Sequence, residues 1–212
     1  MNWREFGGRQ VNIARCNGRL ISEKEISARL KESALRHVNL EDDPMRRKAA
    51  VLVPLLCVDG NWRLLFTRRT ELVPHHKGQV SFPGGAFEDG DGNLVQTALR
   101  ESCEEIGLRP KDVRILGELK GMPSVSNYMI TPIVGRITKP FEIKLSPYEV
   151  SRVFTIPLAW LADENHREIR PYHAGDGRAF EVIYYDMYDG EVLWGATARM
   201  TVLFLQLLGL TR

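Results

Sequence analysis

Ten residues from Ala49 to Val58 run without a single polar side chain, and this run constrains the fold more than any other feature. A strand that is apolar on both faces must be covered on both, so it belongs inside a layered sheet. Asp59-Gly60 follows as a hairpin signal, and Trp62 to Thr67 reads as the returning strand. Further extended segments are expected at Val80 to Phe82, Val113 to Leu119, Met129 to Ile137, Glu149 to Ile156 and Phe180 to Tyr185. Helices are expected from Leu94 to Ile106 and from Thr197 to Leu208, the second with an apolar side of Met200, Leu203, Leu207 and Leu208. Strands mixed with a few helices point to an α+β fold, an α/β/α sandwich around a mixed sheet.

The chain divides into an N-terminal helical extension, residues 1–48, and a main domain, residues 49–212. In the extension, Ser22 with Glu25 forms a capping box for a helix from Glu23 to Arg36, with Ile26, Leu30 and Ala34 on one face. Asp42-Asp43-Pro44 stops that helix, and Met45-Arg46-Arg47-Lys48 is basic and expected to be exposed. Three roles stay open for the extension: covering a pocket, forming the contact of a homodimer, or closing the core. Met1 to Val11 has no apolar signal region, and the longest apolar stretches, Ala49 to Val58 and Val202 to Leu210, are too short to span a bilayer. The three cysteines, Cys16, Cys57 and Cys103, are odd in number and far apart, which predicts no disulfide framework and a reducing, cytoplasmic setting. A net charge of +2 argues against nucleic acid or an anionic membrane as partner.

The chemistry concentrates in Arg100-Glu101-Ser102-Cys103-Glu104-Glu105-Ile106-Gly107-Leu108. At about 100° per residue, Glu101, Glu104 and Glu105 share a helix face, while Val95, Leu99, Cys103 and Ile106 are expected to pack on the sheet. Asn93 with Gln96 can cap the start, and Gly107 suits the end. Three carboxylates so placed repel one another, and a hard divalent cation, Mg²⁺ or Mn²⁺, relieves the repulsion. Alone, such a cluster reads as a solvated acidic face. Its context reverses that reading: Phe82-Pro83-Gly84-Gly85 lies upstream, followed by Glu88, Asp89 and Asp91. Adjacent glycines after a short strand let a metal or phosphate approach the backbone closely.

Gly85, Asp91, Arg100-Glu101, Glu104-Glu105 and Gly107-Leu108 together resemble the box of the Nudix hydrolases. There are three departures: Asp91 stands where the general box has Glu, one more residue separates Gly85 from Arg100, and Ser102 replaces an aliphatic residue. Leu65-Phe66-Thr67-Arg68-Arg69-Thr70 and His76-Lys77-Gly78-Gln79-Val80-Ser81-Phe82-Pro83-Gly84-Gly85 are similar to the motif of the coenzyme A diphosphatase branch. So are Thr131 to Ile137 and Trp194 to Arg199, although Pro74 stands where many members of that branch have arginine. The resemblance implies a Nudix fold and Mg²⁺-dependent hydrolysis of coenzyme A, free or derivatised, to 4′-phosphopantetheine and adenosine 3′,5′-bisphosphate. It further implies Glu101, Glu105 and Glu104 as metal ligands, with the Gly85 carbonyl beside them.

By the same resemblance Arg100 orients a carboxylate through a paired contact. Glu149 is the candidate general base. Arg68, Arg69, His76 and Lys77, with the Gly84-Gly85 backbone, are candidates for holding substrate phosphates. His75 and His76 lack the partners of a zinc site. Cys103 reads as core packing, and Trp194 as core in preference to a base-stacking ring. Two other readings remain: hydrolysis of ADP-ribose, NADH or a nucleoside triphosphate, and a non-catalytic nucleotide-binding module.

Overall fold

In the computed structural model the chain is described over residues 20–36, 45–73, 76–173 and 179–212. Pro74, His75, Cys16 and the Asp42-Asp43-Pro44 stop lie outside the described residues. The apolar run forms β1 (Arg47–Val58), central in its sheet and alternating with period two. Val53, Leu55 and Cys57 enter one core and Ala50, Leu52 and Leu56 the other. Asp59 and Gly60 both take positive φ, and β2 (Asn61–Arg69) returns antiparallel to β1.

β2 continues to β3 (Val80–Ser81) and also pairs with β8 (Val150–Pro157). On its other side β1 pairs in parallel with β7 (Tyr128–Ile137), which pairs with β5 (Val113–Glu118) and β6 (Met122–Pro123). β4 (Gly84–Ala86) pairs with β1, and this mixed sheet has eight described strands. A second, three-stranded sheet is made of β9 (Arg167–His173), β10 (Ala179–Tyr188) and β11 (Glu191–Trp194). One face of the large sheet carries α1 (Glu23–Arg36), α3 (Leu158–Ala162) and α4 (Gly195–Leu207); the other carries α2 (Leu94–Ile106). This is the expected α/β/α arrangement. The expected strands and both main-domain helices are present, while β4, β6, β9, β11 and α3, all short or without a clear period, went unread.

α1 begins as its capping box dictates: Ser22 N–H donates to Glu25 Oε2 at 2.8 Å, and Glu25 N–H to Ser22 Oγ at 3.2 Å. Ile26 and Leu30 are fully buried in the core shared with Trp62 and Leu116. Trp62 Nε1–H donates to the Ile21 carbonyl at 2.7 Å, and Glu23 pairs with Arg114 and Arg136. The described part of the extension therefore closes the main core. Ala34, expected on the same face as Ile26 and Leu30, is exposed.

Two further expectations are corrected by packing. Cys103 is exposed, and α2 meets the sheet through Ala98, Ser102, Glu105 and Ile106. The small side chains of Ala98 and Ser102 let the helix backbone approach β1 and β4, and the Ser102 hydroxyl donates to the Ala98 carbonyl at 2.6 Å. On α4, Met200 and Leu208 are buried and Leu207 packs against the core as expected, but Leu203 is exposed and Val202, Phe204 and Leu205 are buried in addition. Cys57 is disulfide-bonded, which an odd, widely spaced set of three cysteines does not suggest. No helix among the described residues is long and apolar enough to cross a membrane.

Candidate active site

The site lies where α2 meets β4. Asn93 Oδ1 accepts from Gln96 N–H at 2.9 Å to start the helix, and Gly107, in the left-handed region, ends it by donating to Cys103. Gly84 has φ +154°, and a Cβ there would sit 2.4 Å from the Ala50 carbonyl oxygen. Only glycine permits that approach to β1. A Cβ at Gly85 would fall 2.5 Å from the Glu101 carboxylate, so the bare backbone at this point is the cradle of that side chain.

The three glutamates are not equivalent. Glu104 is exposed, Glu101 is partly covered, and Glu105 is only 4% exposed. Gly84 N–H donates to Glu105 Oε2 at 3.3 Å. Burial pushes the Glu105 carboxyl up to about 8; Arg69 opposes this, and Glu101 and Glu149 add repulsion. Burial also raises Glu101, against Arg100 and with help from Glu104 and Glu149. Glu149, exposed at the entry to β8, therefore acts on both carboxylates.

Arg100 meets the acidic cluster with its own charge. Its Nε donates to Asp91 Oδ1 at 2.7 Å and its Nη2 to Asp91 Oδ2 at 3.0 Å, a bidentate pair. Nη2 also donates to the Ala86 carbonyl at 3.1 Å, while Nη1 lies 3.0 Å from Glu101 and 3.1 Å from Glu104. Asp91 is buried and further accepts from Thr97 Oγ1–H and Glu88 N–H, both at 2.9 Å. The Arg100 hydrogen bonds hold the Asp91 carboxyl well below the usual carboxylate range. The carboxylate that Arg100 grips in bidentate fashion is thus Asp91, the residue that departs from the general box, and Arg100 thereby fastens the loop after β4 to α2.

Successive strand residues point to opposite faces, and this separates the two arginines of β2. Arg68 Nη1 pairs with the buried Glu191 of β11 at 3.3 Å. Arg69 acts on Glu105, and its buried Nε has no hydrogen-bond partner among the described residues. His76, at φ 58°, and Lys77 are exposed in the turn before β3, with His76 Nδ1 2.9 Å from Gln79 Oε1. The site thus gathers Gly84, Gly85, Arg100, Glu101, Glu104, Glu105 and Glu149 with Arg69. Arg68 is engaged by the second sheet, and His76 and Lys77 stand on the exposed turn. The contributions of Asp91 as anchor and of Arg69 as the site cation were not separable in sequence, since both depend on which face each residue takes.

Among the described residues no three His, Cys, Asp or Glu side chains already converge as a complete ligand set for an ion. The residues nevertheless fit a divalent cation. They supply hard carboxylate oxygens that repel one another, a buried glutamate whose ionised form a cation would favour, and a backbone cradle bare at Gly85.

The model of the NUDIX domain matches residues 45–173. An uncharacterised Nudix hydrolase, NudL, of Pectobacterium atrosepticum is 38% identical over 155 residues, 72% of this chain and 78% of its own. NudL of Escherichia coli is 38% identical over 153 residues, with the same shares covered. A binary complex of the C. elegans Ap4A hydrolase aligns with 53% of this chain and 80% of its own at 20% identity, with a TM-score of 0.45. With its domain matched over more than half its length and NudL relatives at this identity, the chain belongs to the Nudix family and is a Nudix hydrolase.

Proposed function

We propose that this hydrolase, through a divalent cation, cleaves the diphosphate bond of a nucleoside diphosphate derivative, and that its substrate is coenzyme A or a coenzyme A derivative. The observation that carries the chemistry is the buried Glu105 beside Glu101, the first hydrogen-bonded to Gly84 N–H and the second seated on Gly85. The choice of coenzyme A rests on the residues from Leu65 to Gly85, similar to the motif of the coenzyme A diphosphatase branch.

In this reading residues 49–212 form the catalytic domain and residues 1–48 its helical extension. Glu101, Glu105 and Glu104, with the Gly85 carbonyl, hold Mg²⁺, or Mn²⁺ in its place. When bound, the ion neutralises diphosphate oxygens and acidifies a water. Arg69, whose charge acts on Glu105, faces the diphosphate and offsets charge that the glutamates would otherwise repel. Arg100 is a positioning residue: fixed by Asp91, it sets the rotamer of Glu101. Glu149 takes the proton of the attacking water as its oxygen bonds to one phosphorus and the bond from that phosphorus to the bridging oxygen breaks. His76 and Lys77 on their exposed turn, with Arg68 behind them, meet the outlying phosphate of the substrate.

Mass spectrometry of the products from coenzyme A with Mg²⁺, beside an EDTA control, tests the proposal. Metal-dependent appearance of 4′-phosphopantetheine with adenosine 3′,5′-bisphosphate supports it. Faster turnover of NADH or ADP-ribose than of coenzyme A removes the substrate assignment and keeps the bond cleaved.

A further inference from the structure

Beside the carboxylates the structure presents one aromatic ring that nothing in the fold accounts for. Tyr148 is 75% exposed, and no aromatic, cationic or hydrogen-bonding side chain among the described residues engages its ring or hydroxyl. An exposed tyrosine on a loose loop would carry no argument, but the backbone here is held from several sides. Ser146 N–H donates to the Glu105 carbonyl at 2.9 Å and Lys144 N–H to the Ile106 carbonyl at 3.1 Å, so the segment is pinned to the last turn of α2. The hydroxyl of the buried Thr70 donates to the Tyr148 carbonyl at 2.6 Å, and Thr70 N–H to the Glu149 carbonyl at 2.9 Å. The same hydroxyl accepts from Leu72 N–H at 3.2 Å, which ties to the same turn the backbone of Leu72, whose side chain is 70% exposed. A large ring with two side-chain torsions on a fixed backbone loses little freedom when something packs on it.

Position identifies what packs there. Tyr148 directly precedes Glu149 on a turn held to the Glu105 carbonyl through Ser146, so its backbone stands beside the proposed diphosphate site. A nucleoside diphosphate derivative carries one large flat apolar group, its base, a single sugar away from the diphosphate. Trp194, the other aromatic candidate, has less to offer: its ring lies parallel to Tyr184 at 5.3 Å and 3°, with Tyr172 at 6.0 Å.

We propose that Tyr148, with Leu72 beside it, is the platform on which the nucleobase of the substrate stacks. The inference rests on the proposed nucleoside diphosphate substrate and adds to it a base-recognising residue. Stacking holds substrate and transition state alike, so its loss falls on KM.

The test compares the wild type with Tyr148→Ala, Tyr148→Phe and, as a control on the second sheet, Tyr172→Ala. Each is measured for steady-state hydrolysis of coenzyme A, for hydrolysis of a base-free analogue that keeps the diphosphate and carries a methyl ester in place of the 3′-phosphoadenosyl group, and for calorimetric binding of adenosine 3′,5′-bisphosphate. Tyr148→Ala is expected to raise KM for coenzyme A and the Kd of the bisphosphate about tenfold. Tyr148→Phe and Tyr172→Ala stay within about twofold of wild type, and the base-free analogue does not distinguish the variants. An unchanged KM and Kd in Tyr148→Ala, an equal loss on the base-free analogue, or a wild type that binds no bisphosphate overturns the inference. Coenzyme A hydrolysed with KM unchanged in Tyr148→Ala leaves the proposed function standing without the platform. No hydrolysis of coenzyme A, with bisphosphate binding weakened in Tyr148→Ala, leaves the platform without that substrate.

Discussion

Glu105 couples metal binding to proton release, and the coupling has a calculable size. A carboxylate ligand must be deprotonated before it can hold a cation. The Glu105 carboxyl, raised by burial to about 8, is mostly protonated at neutral pH. Its folded value lies above its ordinary value of 4.5, so the metal-free folded state binds the extra proton between those two pH values. The stability this group contributes is then fully present below about pH 4.5 and is lost as pH rises towards 8, a loss on the order of 5 kcal/mol at most. Metal affinity moves the other way. Below pH 8 each unit costs about tenfold, and from pH 8.5 down to 6.5 the apparent affinity for Mg²⁺ or Mn²⁺ falls about 25-fold. Calorimetric titration of the metal at several pH values, repeated at pH 7 in buffers of different ionisation enthalpy, reads both the affinity and close to one proton released per ion. An affinity constant within about twofold across that range, with no proton released, would refute Glu105 as a buried, protonated metal ligand.

Four further outcomes follow from the geometry. Gly85→Ala places a methyl against the Glu101 carboxylate, which can swing aside, so folding survives while activity falls about a hundredfold; Gly84→Ala meets the Ala50 backbone and lowers the melting temperature instead. Asp91→Asn removes the bidentate partner of Arg100 and destabilises the protein by about 2–3 kcal/mol in urea titrations, with kcat also lowered. Because Arg100 holds the Asp91 carboxyl below its ordinary value, that stability is present above about pH 4 and is lost on acidification, so between pH 5 and 3 the wild type loses more stability than Asp91→Asn. Leu30→Ala, fully buried under α1, costs about 2–5 kcal/mol, whereas Ala34→Gly at the exposed end of the same helix costs about 1 kcal/mol.

Sequence pattern reached furthest where a local rule decides the outcome. The capping residues Ser22 and Asn93, the Asp59-Gly60 turn and the period-two run of β1 are short-range signals, and each sits where its chemistry requires. The inward face of α2 was not legible in the same way. Of the residues that hydrophobicity selects, Ile106 is buried and Val95 packs against the same core, but Cys103 is exposed and Ala98, Ser102 and Glu105 turn inward. Burial of Glu105 is unfavourable for the fold alone, since a polar carboxyl is taken from water with no paired cation in direct contact among the described residues. Such a rotation is decided by the long-range meeting of α2 with β4, which a one-dimensional period does not contain.

That same rotation explains how the parts of the site depend on one another. Small residues at 98 and 102 bring the helix close; bare glycines at 84 and 85 leave room for two carboxylates to be seated on β4; and Arg100, locked by Asp91, keeps the loop between them closed. An aliphatic residue in place of Ser102 adds volume under a fully buried side chain, pushing α2 outward and away from Gly84. Asp91 in place of the box's usual Glu is one methylene shorter, and that shorter reach suits a loop one residue longer between Gly85 and Arg100. An aliphatic residue restored at 102 alone should therefore loosen the Glu105–Gly84 hydrogen bond, read as lost hydrogen-exchange protection at the Gly84 amide.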